Sequence, residues 1–320
     1  MKRLLFTLLI LASVLPVVAF PQENYPSRQV LLVSPEPEPL FSSQIARNVD
    51  LVLTRILKSS VKTLNRVPYR EGILSALNSK PDGHTLLFTS SNFSIIPLTE
   101  ELFDREPYYS LDQFVPIALV SAEPFVLVVN AGKPWKSLGE LVQDAKRRPG
   151  EISFAAVEYG NIHLAVENIA LAADIQLKYV PSYGTQERER IFSGNVDAWA
   201  AFPSVILPYI KEGKLRPLAV GGANRIAPLP SVPTLKEQGY DIELYNWAGL
   251  FAPKGVSDSI LRILGSAMRE VIGHPFFRER MMLKGFPVVY FDAPDFQEFL
   301  DREEKMLSDA VERISKIEKK

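Results

Sequence analysis

The side chains able to do chemistry are few and grouped. Glu36 and Glu38 alternate with prolines in the run SPEPEPLFSS, which reaches Phe41 and the serines after it. Glu158 stands beside Tyr159 in the loop AAVEYGN, which ends at Asn161 shortly before His163. Ser90, Ser91 and Asn92 close an apolar run, and Thr185 and Ser204 stand at the starts of helical stretches. A carboxylate pair drawn from Glu36, Glu38 and Glu158 could in principle serve as acid and base in glycoside chemistry. The same carboxylates could hold a cationic or polyhydroxylated ligand, or Glu36 and Glu38 could simply point to solvent between the prolines. Arg70 could clamp a carboxylate bidentately, or pair with Glu36 or Glu71. Tyr69, Tyr159, Tyr183 and Phe202 offer rings for stacking. No nucleophile, base and orienter set is legible: there is no Cys, no Gly-x-Ser-x-Gly and no His-Glu-x-x-His. The three histidines, His84, His163 and His274, share no ligand spacing, so neither a metal nor a cofactor is expected. Glu187, Arg188, Glu189 and Arg190 read as a solvated helix face.

The elements that must position these groups alternate between strands and helices. The stretch from Val180 to Val220 reads strand, loop, helix, strand, loop, helix, strand. Pro181, Ser182 and Gly184 make a turn, and Thr185 caps a helix over 186–192 that Gly194 and Asn195 stop. Val196–Phe202 is a buried strand, Pro203 restarts a helix, Gly213 closes it, and Leu215–Val220 is the next strand. Helices crossing between strands imply parallel sheets, whose ligands sit beyond the carboxyl ends of the strands. The loops at 181–186 and 202–204 are therefore candidate site loops. Upstream, strands are expected at 30–33, 61–64, 84–89, 114–120, 124–130 and 152–157. Helices are expected from Ser42 or Ser43 to about 59, and over 71–78, 138–147 and 160–173. Downstream come a strand at 247–251, helices at 257–274 and 275–283, a strand at 288–291 and a highly charged terminal helix at 295–317, which reads as a solvated face. The three tryptophans, Trp135, Trp199 and Trp247, are expected in the core.

The chain has 320 residues, a net charge of −1, 47% hydrophobic and 23% charged residues, an ordinary globular balance. That length suggests about two domains. No basic stripe with interleaved aromatics points to nucleic acid. Met1, Lys2 and Arg3 precede the apolar run Leu4–Val14. Pro16 breaks it, and Val17, Val18 and Ala19 suit cleavage. This predicts a secretory signal peptide over 1–19, too short to span a membrane. No Cys follows it, so no lipid anchor is expected. The first domain is expected over 25–122 and again over 223–320, with the second over 123–222. Two chain crossings would make a hinged cleft.

The ordered segments resemble one family: the extracytoplasmic substrate-binding proteins of tripartite tricarboxylate transporters, the Bug-type receptors. The matching pieces are Tyr25-Pro26-Ser27-Arg28, Asn65-Arg66, Pro81-Asp82-Gly83-His84-Thr85-Leu86, Asp112 to Ile117, Val128-Val129-Asn130, and Lys146 to Gly150. They continue with His163-Leu164, Val180-Pro181 with Gly184, Gly194-Asn195-Val196-Asp197, Gly213 to Val220, Leu229 to Thr234, and Trp247 to Pro253 with Gly255. The resemblance implies an α/β, two-domain periplasmic-binding-protein (type II) fold, each domain a mostly parallel sheet flanked by helices. It implies a monomeric periplasmic receptor, not an enzyme. Such a receptor captures a small organic solute, a carboxylate in the family, and delivers it to membrane permease subunits. Some relatives instead present ligand to a membrane sensor kinase, and the sequence does not separate the two roles.

The departures fall in the ligand loops. The family's glycine-rich loop after the first strand is replaced by prolines and glutamates. Tyr69, Arg70 and Glu71 precede a lone Gly72, the loop before His163 is shortened, and Ala200-Ala201-Phe202 stands where many members are polar. Two negative charges beside a bound carboxylate repel it by roughly 1–4 kcal/mol per pair at about 4 Å. The ligand candidates are thus Glu36, Glu38, Phe41, Arg70, Ser90, Ser91, Asn92, Glu158, Tyr159, Asn161, His163, Tyr183, Gly184, Thr185, Phe202 and Ser204. A cationic or neutral ligand is the alternative to a carboxylate.

Overall fold

The computed structural model describes residues 24–157, 160–182 and 186–318. The expected leader over 1–19 lies outside these residues, as do Glu158, Tyr159, Tyr183, Gly184 and Thr185. In chain order the elements are β1 (Val30–Ser34), α1 (Phe41–Ile56), β2 (Val61–Asn65), α2 (Tyr69–Leu77), β3 (Thr85–Ser90), α3 (Asn92–Leu102), β4 (Phe114–Pro124) and β5 (Val126–Asn130). Then follow α4 (Leu138–Arg147), β6 (Ser153–Ala156), α5 (Asn161–Ala172), β7 (Lys178–Pro181), α6 (Gln186–Phe192), β8 (Ala198–Ala201), α7 (Pro203–Lys211) and β9 (Leu215–Val220). The chain closes with β10 (Tyr245–Pro253), α8 (Asp258–Gly273), α9 (Pro275–Leu283), β11 (Phe291–Asp292) and α10 (Ala293–Glu318).

Two sheets form. The first has the order β11-β4-β10-β3-β1-β2 and the second β7-β6-β8-β5-β9. Each is mixed, because the strands next to the crossings run antiparallel to their neighbours. β1 pairs parallel with β2 and β3, while β10 pairs antiparallel with β3 and β4. β6 pairs parallel with β7 and β8, and β5 antiparallel with β8 and β9. The predicted apolar stripe of α1 is buried against one face of the first sheet beside Leu264, Met268 and Val271 of α8. Ser257 caps α8 by accepting the Ile260 N–H, and Ser137 caps α4 through Glu140 N–H. All three tryptophans are buried.

The first sheet passes directly into the second. β4 continues into β5 with only Phe125 between them. The return passes through Gly221 and, after a loop, Leu244. The three segments bond side by side: Gly221 N–H donates to Phe125 C=O (2.8 Å), Leu244 N–H to Gly221 C=O (2.9 Å), and Phe125 N–H to Leu244 C=O (3.4 Å). A Cβ on Gly221 would lie 1.9 Å from a Phe125 ring carbon, so only glycine fits this approach.

Three elements differ from the sequence reading. Residues 92–102, for which the sequence reading has no element, form a helix with Pro97 inside it. Proline removes the N–H that would bond the carbonyl four residues back, and the Tyr109 hydroxyl donates to that carbonyl, Phe93 C=O, instead (2.7 Å). Residues 229–244, expected in the first domain, pack with the second sheet: Leu229 and Val232 lie beside Trp199, and Leu235, Ile242 and Leu244 beside Phe125. The terminal helix is not merely solvated. Phe296, Phe299 and Leu300 pack under the first sheet, while Leu307, Ala310 and Val311 enter the second sheet's core. Between these stretches Glu303, 5% exposed, accepts the Trp247 indole N–H at 2.8 Å, and burial pushes its carboxyl up to about 7.

Replacing Gly221 by Ala should overpack the Phe125 ring and cost about 1–3 kcal/mol. Urea unfolding should show the midpoint falling with the slope unchanged. An unchanged midpoint would mean that the ring yields freely.

Candidate functional site

The carboxyl edge of the first sheet carries a row of polar groups. β1, β3 and β4 run in the same direction, since β10 is antiparallel to both β3 and β4. Their ends, with the start of β10, bring Glu36, Ser90, Asn246 and Glu123 to one edge. Three interstrand steps of about 4.8 Å separate β1 from β4, so the row spans roughly 14 Å.

Glu36 anchors one end and is only 5% exposed. Its carboxylate accepts the hydroxyls of Ser42 (2.6 Å) and Ser90, and the Asn92 side-chain amide at 3.4 Å. Its backbone carbonyl accepts Asn65 Nδ2 (2.7 Å), and Asn65 also donates to the Ser43 hydroxyl. Ser42 and Ser43, expected to cap α1, lie inside it; Leu40 takes the cap position and supplies no side-chain bond. Gly72 fixes the approach, because a Cβ there would meet Pro35 Cα at 2.6 Å. Tyr69, beside it on α2, bonds the Thr89 hydroxyl at 2.7 Å. Burial holds the Tyr69 phenol well above its ordinary range, and the Glu36 charge adds to the effect.

The other end is built around Glu123, 1% exposed near the end of β4. One of its oxygens accepts the Ser204 N–H and the other the Ser204 hydroxyl at 2.9 Å. Ser204 lies in the first turn of α7, whose cap residue Phe202 offers no side-chain bond, so Glu123 caps that helix from a strand of the other sheet. Burial pushes the Glu123 carboxyl up to about 7, and the two Ser204 bonds oppose the shift. Between the two ends, Asn161 at the start of α5 donates to the Ser91 hydroxyl, which in turn donates to Asn246 Oδ1 at 3.4 Å. Asn161 Oδ1 is buried without a hydrogen-bond partner among the described residues. Groups from both sheets therefore meet at the row.

The structure thus brings together Glu36, Ser90 and Asn92, then Ser91 with Asn161, then Ser204 with Glu123. Other candidates stand apart. Glu38 is exposed and ion-pairs with Arg47, in a shallow pocket that also holds Arg280 and Lys284. Phe41 packs edge-on against Phe286, with ring centroids 5.0 Å apart. Arg70 lies over the Tyr108 ring, 4.9 Å from its centroid, and makes no ion pair with Glu36 or Glu71. His163 is buried and stacks on Tyr179, with centroids 4.0 Å apart and planes 12° from parallel. Phe202 packs against the second core. Sequence reasoning passed over Ser42, Asn65, Glu123 and Asn246 as site residues. Glu123 had a signal: it is the lone charge in the apolar run Phe114–Asn130.

The chain resembles known proteins in sequence and in fold. The profile of the tripartite tricarboxylate transporter family receptor matches residues 45–316. The chain is 30% identical over 259 residues to Protein BugT of Bordetella pertussis, covering 78% of each chain. It superposes on a TctC solute binding protein from Polaromonas, without ligand, with a TM-score of 0.83 at 22% identity, over 90% of this chain and 99% of the other. It also superposes on MatC of Rhodopseudomonas palustris, with bound malate, with a TM-score of 0.68 at 22% identity, over 90% of this chain and all of the other (100%).

A carboxyl whose folded pKa lies above its unfolded value stabilises the fold at low pH, and that contribution fades as pH rises through the folded value. Glu123 should therefore lower stability as pH rises from about 4.5 to about 7, by up to about 1.4 kcal/mol per pH unit. Glu123→Gln should remove that share of the slope in urea unfolding run across this range. An identical slope in the variant would show Glu123 to be ionised like a surface carboxylate.

Proposed function

The chain belongs to the tripartite tricarboxylate transporter receptor family, and from that premise we propose that it is an exported receptor that captures a small organic solute between its two sheets and delivers it to a membrane permease. The observation that carries this reading is the convergence of polar groups from both sheets at one edge. Ser90, Ser91, Asn92 and Asn246 come from the first sheet and its connections, and Asn161 and Ser204 from helix starts of the second. This is the crevice beyond the strand ends where α/β sheets bind ligands. The malate held by MatC supports a solute of similar size. The basic, apolar, then small-residue order of the first 19 residues supports export.

Capture works by closure. The sheets are joined at Phe125, Gly221 and Leu244, so they can rotate about that line. A solute drives closure only if it binds the closed form more tightly than the open form. The Asn161 to Ser91 bond, which joins the second sheet's helix to the first sheet's loop, is a contact of the closed form. The row offers side-chain hydroxyls and amides rather than a nucleophile beside a base, which suits binding better than turnover.

Protein recovered from the periplasm of its native host should carry one small organic solute, detected by native mass spectrometry and released on unfolding. Adding that solute back at 100 times its dissociation constant should stabilise the empty protein by about 2.7 kcal/mol. Asn161→Ala should weaken solute binding about 3- to 30-fold, as expected for losing one net hydrogen bond to the closed state. Recovery of a solute-free protein that no small molecule stabilises would refute the receptor reading.

A further inference from the structure

We propose that the solute carries a cationic nitrogen, an amine or ammonium group, held in the row between Glu36 and Glu123, whose charges flank it from the two ends without both touching it; this rests on the reading of the row as the solute site. Both carboxylates are almost fully buried, at 5% and 1% exposure. Every donor that reaches them among the described residues is neutral. Ser42, Ser90 and Asn92 serve Glu36, and the Ser204 backbone and hydroxyl serve Glu123. No ion pair among the described residues includes either one. Arg70, the nearest cation in sequence to the Tyr69 end of the row, is spent on the Tyr108 ring instead. Glu38, by contrast, sits only two positions from Glu36 and has Arg47.

Buried carboxylates without a cation are costly, and hydrogen bonds from neutral groups offset only part of that cost. The position of Glu123 up near 7 shows the same imbalance. A cationic solute would supply the missing charge. An anionic solute would face two obstacles. The Ser42 and Ser90 hydroxyls, which suit a carboxylate, are already filled by Glu36, the Ser91 hydroxyl is given to Asn246, and the start of α7, which favours negative charge, is already filled by Glu123. Its own charge would also add to theirs in a site screened from water. In this receptor the protein therefore contributes the carboxylates, and the solute need not.

The test is titration calorimetry of the exported protein against 1,4-diaminobutane, choline and ethanolamine on one side and malate and adipate on the other. At least one cation should bind and neither dicarboxylate should. Glu36→Gln and Glu123→Gln should each weaken the cation at least tenfold, whereas Glu38→Gln, exposed and outside the row, should leave it unchanged. Glu36→Asp, which keeps the charge, separates loss of charge from loss of fold by retaining more affinity than Glu36→Gln. Binding of malate or adipate without any cation would overturn the proposal and leave the receptor reading standing. Binding of neither class would overturn the proposal, and the receptor reading would then fall only if the recovered protein also carried no solute. Equal cation affinity in Glu36→Gln, Glu123→Gln and the unaltered protein would overturn the assignment of the counter-charges.

Discussion

The architecture depends on one close approach. The chain must pass from the first sheet to the second and return, and both passages share a single hydrogen-bonded layer at Phe125, Gly221 and Leu244. The layer exists because Gly221 has no side chain where the Phe125 ring lies. From it follow the mixed sheets, since β4 and β10, and likewise β5 and β9, must lie antiparallel to one another. The relative placement of the two rows of strand ends follows as well, and with it the crevice.

Within that frame, three carboxylates among the described residues are buried, and each is answered by donors rather than by cations. Glu303 takes the Trp247 indole, Glu123 takes a helix start, and Glu36 takes serines and asparagines. Burying such groups is unfavourable unless their hydrogen bonds are made, so each fixes the position of the segments that answer it. Glu123 in particular ties a strand of one sheet to a helix of the other. The polar network therefore sets geometry across the boundary, while the apolar clusters set it within each half.

Much of this was legible in the sequence, and the reasons for the remainder are specific. Amphipathic spacing located α1 and α8, and turn residues bounded α6, α7 and β9, because local pattern and final packing agree there. α3 was hidden because Pro97 loses a helix bond that only a distant tyrosine replaces. The tail of α10 looked solvated because its apolar positions serve two different cores and its central glutamate is buried. In the candidate site, strand ends and helix starts pointed to Ser90, Ser91, Asn92 and Ser204, and the loop before His163 to Asn161. The pairing of Ser204 with Glu123 depends on a tertiary contact between residues far apart in sequence, which no local signal encodes. The separation of Glu36 from Glu38 likewise turns on the path of three prolines, since one residue faces the serines and the other faces Arg47.

The terminal helix has a kinetic consequence. It has one half bedded in each core, so the sheets cannot part without bending it at Glu303 or peeling away the turn that holds Leu307, Ala310 and Val311. That peeling exposes apolar surface to water, and its free energy enters the barrier to opening and not the contacts with the captured molecule. Under the receptor reading, the residence time of a solute would therefore depend in part on this helix. Changes along α10 would alter how long a solute is held while leaving untouched which solute is chosen.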